Sequence, residues 1–216
     1  MYLLSKVGVL ARMVEHRLTH LPGRGDVPRD GDRLFGSLLE DVEGVDAIIH
    51  LAGLSNDPLG ELVPGLTEEI NLWGTLKLAE LAKETGAQRF IYSSSQSMYG
   101  ISYTDSELNE DDSEKNAITA YAKTKWEAEC RLMKMQSSNF KVVAFRPSTV
   151  FGASPRLRCD IVYNNLVGSA FTTGSIIKKV KSPLGRPIVY VWDVGEDFIV
   201  GLEVTSEYNL LVCCIN

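Results

Sequence analysis

At 216 residues the chain is long enough for one full-sized domain, or one domain with a small appendage. Its 44% hydrophobic and 23% charged content is that of an ordinary soluble globular protein, and a net charge of −6 argues against a nucleic-acid binder, which needs a concentrated basic face. No apolar run reaches the roughly 18 residues that span a bilayer, and Lys6 and Arg12 interrupt the apolar start with no small-residue cleavage site after it, so the expectation is a cytoplasmic protein without a membrane partner.

In chain order, the first clear element is the apolar run VDAIIHLAG, residues 45–53, which stops at a glycine and reads as a strand buried on both faces. The following LSNDPLGELVPG is rich in Asn, Asp, Pro and Gly and reads as a loop. From Thr67 the spacing turns helical. Ile70, Trp73, Gly74, Leu78, Leu81 and Ala82 form one stripe, with Thr67 as N-cap and Gly86 as the C′ glycine. RFIYSSS, residues 89–95, reads as a second strand ending in hydroxyls. A polar acidic segment, TDSELNEDDSEKN, leads into a helix that carries ITAYAKTKWEAE, and FKVVAFRPSTVFG, residues 140–152, begins as a third strand and breaks at Pro147. Lys178, Lys179 and Lys181 read as a solvated turn, and Asp193 as the cap of a last helix, VGEDFIVGLEV. Cys130, Cys159, Cys213 and Cys214 have no metal-ligand spacing, and no metal is expected.

Strands alternating with helices predict parallel βαβ units in an α/β domain. Parallel open sheets place ligands outside the carboxyl ends of their strands, and residues 50–53, 93–95 and 146–149 lie at those ends. Tyr121 and Lys125 sit four residues apart on one helix face beside the same crevice. An ammonium about 4 Å from a phenolate stabilises it by roughly 4 kcal/mol at an effective dielectric near 20, enough to bring a phenol of pKa about 10 close to neutrality. From 8 tyrosines and 11 lysines chance supplies less than one such pair, so the strand ends around it carry the inference more than the spacing does.

Taken together, HLAG closing one strand, SSS and MYG closing the next, YAKTK opening a helix and RPSTVFG closing the third strand resemble the extended short-chain dehydrogenase/reductases, closest to their NAD-dependent epimerase/dehydratase branch. The likeness covers roughly residues 24–203. It implies a Rossmann-like doubly wound parallel sheet with part of a small C-terminal substrate-binding lobe: residues 1–152 a partial NAD(P)-binding domain, 153–216 a partial substrate-binding region. By resemblance Tyr121 is the acid-base tyrosine, Lys125 its activator and ribose ligand, and Ser95 the hydroxyl that bonds the substrate oxygen. Asp26 and Val27 match the pair beside the adenine. Leu51, Ala52, Gly53, Asn71, Ser93 and Pro147 line the cofactor, and Thr149, Asn165 and Arg186 stand where relatives hold a sugar diphosphate.

Blander readings stand beside these. Ser93 and Ser94 also fit as strand-end caps, Asn71 as a helix residue bonding a loop backbone, Arg186 as an exposed charge, and His50 as a buried structural histidine. The family also implies a nucleotide-diphosphate sugar as substrate and a homodimer through the helices at residues 67–83 and 120–136. Relatives that eliminate water carry Asp-Glu directly after the position of Ser95, whereas this chain has Gln96 and Ser97, which favours a 4-epimerase or keto-sugar reductase.

One departure is large. The glycine-rich turn G-x-x-G-x-x-G that would face the NAD pyrophosphate does not occur, and only about 25 residues precede Asp26. YLLSKVGVLARM reads as the tail of the first helix running into the second strand, with Ala11 and Arg12 where relatives place an acidic ribose ligand. The expectation is a chain truncated at both ends, lacking the first strand and its turn. Three functions are therefore carried forward: an epimerase, an inactive remnant without cofactor, and an NADP-dependent reductase supported by Arg12.

Overall fold

A computed structural model describes residues 42–55, 57–101, 110, 113–155, 157–177 and 187–203. Three strands, β1 (Ala47–His50), β2 (Arg89–Ser93) and β3 (Lys141–Phe145), form a parallel sheet in the order β1-β2-β3. Ala47 pairs with Arg89, and Arg89 with Lys141. Two short helices, α1 (Asp57–Leu62) and α2 (Pro64–Glu68), follow β1; a π-helical turn (Glu69–Gly74) then runs into α3 (Thr75–Glu84). A 3₁₀ turn (Gln96–Tyr99) closes β2, and α4 (Ala120–Lys134) crosses to β3. A second, two-stranded parallel sheet pairs β4 (Thr149–Phe151) with β5 (Ile188–Tyr190), and α5 (Val162–Thr173) and α6 (Val191–Glu203) complete the chain.

Alternation along the strands explains the layers. Ile48, Phe90, Tyr92, Val142 and Ala144 point to one face, where they pack with Leu72, Leu76, Ala79, Ala128 and Leu132 of the helical layer. Ile91, Val143 and Phe145 point to the other face and meet Phe198 of α6, whose ring stands edge-on to Phe145 at 5.3 Å. A parallel sheet calls for cover on both faces; β2 and β3 have it, whereas β1, expected to be buried on both faces, keeps Ala47 and Ile49 of its second face partly exposed. Among the described residues no helix is long and apolar enough to cross a membrane.

Several expected boundaries shift. The stretch read as a loop after β1 contains α1 and the start of α2, because Pro58 and Pro64 sit in first-turn positions where a missing N–H costs nothing. Thr67 is therefore no N-cap: it is buried within α2, and its hydroxyl donates to the Gly60 carbonyl at 2.9 Å. The π turn changes the helical phase, so Trp73 leaves the core stripe and lies half exposed under the Arg131 guanidinium, 4.7 Å from its ring, while Asn71 turns inward. The first two strands end earlier than expected, at His50 and Ser93. Asp193 lies inside the first turn of α6, which begins at Val191 rather than being capped by Asp193. Gly86, with φ +88°, ends α3 as expected.

At Gly100 the backbone has φ +66°, and a Cβ there would lie 2.0 Å from the Asn116 carbonyl oxygen. This is where the 3₁₀ turn is pressed against the segment leading into α4. Gly100→Ala is expected to cost roughly 3 kcal/mol, from strain plus overpacking, read as a lower urea midpoint with an unchanged slope.

Candidate active site

The carboxyl ends of β1, β2 and β3 lie side by side by virtue of their parallel register, and α4 lies across them. Its first turn is held at two points. Thr119 caps it, its hydroxyl accepting from the Ala122 N–H at 3.2 Å, and the Glu61 carboxylate accepts from the Ala120 N–H. Tyr121 and Lys125 follow on the sheet-facing side.

Lys125 is 96% buried, and its ammonium donates to the Ser93 carbonyl at 2.6 Å. It lies over the Tyr92 ring at 4.8 Å and 5.9 Å from the centroid of Tyr121. Desolvation by burial lowers its pKa to about 8. An ammonium has three donors, and of the described acceptors only the Ser93 carbonyl bonds it. Gly53 forms the facing wall: a Cβ there would sit 3.0 Å from Asn71 Oδ1 and 3.8 Å from Lys125 Nζ. The structure thus brings Gly53, Asn71, Ser93, Tyr121 and Lys125 into one neighbourhood.

Asn71 bonds a loop backbone at both ends of its amide. Its Oδ1 accepts from the Leu54 N–H at 2.7 Å and its Nδ2 donates to the Leu54 carbonyl at 3.0 Å, clamping the loop that follows Gly53. The inward turn of Asn71 is a product of the π geometry. Leu51 is half exposed and Ala52 partly buried.

Ser95 is buried and starts the 3₁₀ turn. Its Oγ accepts from the Ser97 N–H at 3.2 Å and from the Ser97 hydroxyl at 2.8 Å. Two accepted bonds leave its own proton free to be donated elsewhere. Pro147 follows β3, and its carbonyl accepts from the Gln96 N–H at 3.3 Å, which ties the β2 and β3 exits together. Thr149 lies on β4 and Asn165 on α5, where Asn165 Nδ2 donates to the Cys159 carbonyl at 3.0 Å. Asp26, Val27, Arg186, Arg12 and the lysines at 178, 179 and 181 lie outside the described residues.

His50 is structural, as expected of it: buried, with Nε2 2.8 Å from the Thr75 hydroxyl and its ring stacked 6.0 Å from Tyr92. Burial, reinforced by the Lys125 charge, lowers its pKa to about 3. Tyr92 is equally unsuited to proton transfer, since burial, with smaller contributions from Tyr121 and Glu129, pushes its phenol well above its ordinary value. Of the two tyrosines beside the ammonium, Tyr92 is the inert one.

Sequence reasoning missed one constellation. Glu129 and Arg146 form a buried ion pair at 2.6 Å, and Arg146 Nη1 also donates to the Tyr99 hydroxyl at 2.6 Å and to the Glu110 carbonyl at 2.9 Å. The available signal was Glu129 one turn beyond Lys125 on the same helix face, with an arginine directly after the apolar stretch VVAF.

Comparison with known proteins adds to this geometry. A model of the NAD dependent epimerase/dehydratase family matches residues 24–204. The chain is 34% identical over 122 residues to a Mus musculus dTDP-D-glucose 4,6-dehydratase, covering 56% of this chain and 34% of that protein. To UDP-glucose 4-epimerase 2 of Arabidopsis thaliana it is 32% identical over 114 residues, covering 51% and 31%. The matches thus span about a third of the length of these curated relatives. Among solved structures, a UDP-glucose 4-epimerase from Thermotoga maritima with UDP-glucose superposes with a TM-score of 0.73 at 19% identity, over 84% of this chain and 59% of that one. MoeE5 in complex with UDP-glucuronic acid and NAD gives 0.69 at 22% identity, over 82% and 59%. At such identities the likeness establishes a Rossmann-type fold.

Two pH dependences follow. Neutral His50 is favoured in the native state, so its stabilisation is complete above pH 6.5 and is lost as pH falls toward 3; near pH 4.5 the loss is about 3 kcal/mol, and His50→Gln removes that part of the acid slope in urea titrations. Lys125 also binds its proton more weakly in the native state, so stability rises as pH climbs from about 8 to 10.5, by up to about 3 kcal/mol, and Lys125→Met flattens that rise.

Proposed function

The chain belongs to the NAD dependent epimerase/dehydratase family, and from that premise we propose that it carries out NAD-dependent epimerisation of a nucleotide-diphosphate sugar through Tyr121, Lys125 and Ser95. The observation that carries this reading is the buried Lys125 ammonium, bonded to the end of β2, with Tyr121 on one side and the bare Gly53 wall on the other. In this reading residues 1–152 hold the dinucleotide and 153–216 contribute to the sugar side, in a cytoplasmic homodimer that pairs the helices at residues 67–83 and 120–136.

The residues present suit the nicotinamide end of NAD. Two donors of Lys125 are without a described protein acceptor, and vicinal ribose hydroxyls match them; Gly53 offers a wall with no side chain beside Asn71 and Lys125, and in this reading Ser93, Leu51, Ala52, Asn71 and Pro147 would line the cofactor. Asp26 and Val27 would flank the adenine. NAD held there by Lys125 beside Gly53 would supply reversible hydride-acceptor chemistry at the sugar carbon.

Every other part of the chemistry falls to the chain. Lys125 holds the ribose, and its charge favours the anionic form of the neighbouring phenol. Tyr121 takes the proton of the substrate hydroxyl as that carbon is oxidised, and gives it back when the carbon is reduced. Ser95 donates its uncommitted proton to the oxygen that becomes a carbonyl, where it can stabilise developing charge. Thr149, Asn165 and Arg186 hold the sugar diphosphate. Dehydration would need carboxyl groups beside Ser95 acting on the neighbouring carbons. Gln96 and Ser97 supply none, and the Ser97 hydroxyl is turned back to Ser95, so epimerisation is the reading preferred over the 4,6-dehydration of the mouse relative.

A second reading is a chain that retains the acid-base groups without binding the cofactor. Titration calorimetry with NAD and NADP separates the two. Saturable heat with NAD supports the enzyme, preference for NADP the reductase variant, and no heat the remnant. In an NAD-binding protein Tyr121→Phe is expected to lower turnover of UDP-glucose or dTDP-glucose by 10²–10⁴-fold or more while leaving the NAD isotherm unchanged. Retained turnover would refute the assignment of Tyr121.

A further inference from the structure

We propose that Arg146 is a positioning residue for this site: its guanidinium locks together the three segments that carry Tyr121 and Lys125, Ser95, and Pro147. The proposal rests on the reading of those residues given above.

The contacts are spread over separate pieces of chain. Arg146 Nε donates to both carboxylate oxygens of Glu129, at 3.1 and 3.2 Å, and Nη2 donates to Oε1 at 2.6 Å. Glu129 is on α4, one turn beyond Lys125, so this fork fixes the rotation of the helix that presents Tyr121. Nη1 donates to the hydroxyl of Tyr99, the last residue of the 3₁₀ turn that Ser95 opens. The same Nη1 donates to the carbonyl of Glu110, in the acidic segment that leads toward α4, and Lys115 Nζ donates to that carbonyl too. The guanidinium carbon lies 5.7 Å from the Tyr99 ring and 5.5 Å from the Trp126 ring, and the Lys115 ammonium lies 5.5 and 5.7 Å from the same two rings. Arg146 itself directly precedes Pro147 at the β3 exit.

Stability alone is a poor explanation for this arrangement. Removing an arginine and a glutamate from water is expensive, and buried ion pairs replaced by apolar residues of similar volume are often neutral or stabilising. What an apolar pair lacks is direction. A guanidinium with a fork on Glu129 of α4 and a single bond to the Tyr99 hydroxyl sets both a distance and a rotation, and lysine could not reproduce that geometry. In this register α4 places Lys125 against the Ser93 carbonyl.

The test uses the whole chain with Glu129→Leu combined with Arg146→Met, and Arg146→Lys as a milder companion. Three quantities are read: thermal stability, kcat and KM with NAD and UDP-glucose, and the titration of Lys125 by the ¹³Cε shift in lysine-labelled protein. The double variant is expected to remain folded, to lose roughly 10- to 100-fold in kcat with KM changed far less, and to let water reach Lys125, moving its titration from about 8 up toward 10.5. Arg146→Lys is expected to move both in the same direction by less. A folded double variant with unchanged kcat and an unchanged Lys125 titration would overturn the proposal, as would an unaffected Arg146→Lys should the double variant fail to fold. A wild-type chain without turnover would defeat the enzymatic reading only, and the Lys125 titration would then decide the role of Arg146 on its own.

Discussion

Burying a lysine ammonium against the end of a parallel strand is the constraint around which the described chain is arranged. Lys125 gives up hydration for one backbone carbonyl and the faces of two tyrosines, and burial lowers its pKa to about 8. A charge so placed is tolerated only if its surroundings are held still. α4 must stay at a fixed height above β2, β2 must end where its Ser93 carbonyl is free, and the loop after β1 must stay close without a side chain at Gly53. Asn71, gripping Leu54 by both amide atoms, secures the last of these, and the fork between Glu129 and Arg146 secures the first. Strained electrostatics of this kind gather at sites that move protons, where an ordinary core would avoid them.

The layered architecture was legible because period-two and helical patterns are written by burial itself. Three apolar runs separated by amphipathic stretches leave little besides a parallel sheet covered by helices. What pattern could not show was local backbone choice. Pro58 and Pro64 look like loop punctuation, yet at a first turn proline starts helices as readily as it breaks them, so α1 and α2 were hidden. The π turn at Glu69–Gly74 was invisible for a related reason: one inserted residue rotates everything after it, and a stripe drawn with a constant period assigns Trp73 to the core and misplaces its neighbours.

Parts of the site were equally readable. Tyr121 and Lys125 share a helix face by spacing alone, and the rule that parallel sheets bind at their carboxyl ends led to Gly53 and Ser93. Buried partners were harder to see. Glu129 and Arg146 are ordinary surface residue types, and only the fold reveals that both are desolvated and facing each other across α4 and β3. The same holds for His50 and Tyr92, whose burial makes each inert toward protons although its residue type could transfer them. Ser95 accepts two bonds from Ser97 and Lys125 bonds the Ser93 carbonyl, while His50 contacts Thr75 and Asn71 bonds Leu54 with both ends of its amide.

A crystal structure of the chain grown with NAD tests this picture most directly. The hydroxyls of Tyr121 and Ser95 should face one shared volume above the Lys125 ammonium, with the nicotinamide ribose bonded to that ammonium. A Tyr121 phenol directed to open water, with Ser95 out of reach on the far side of α4, would contradict it.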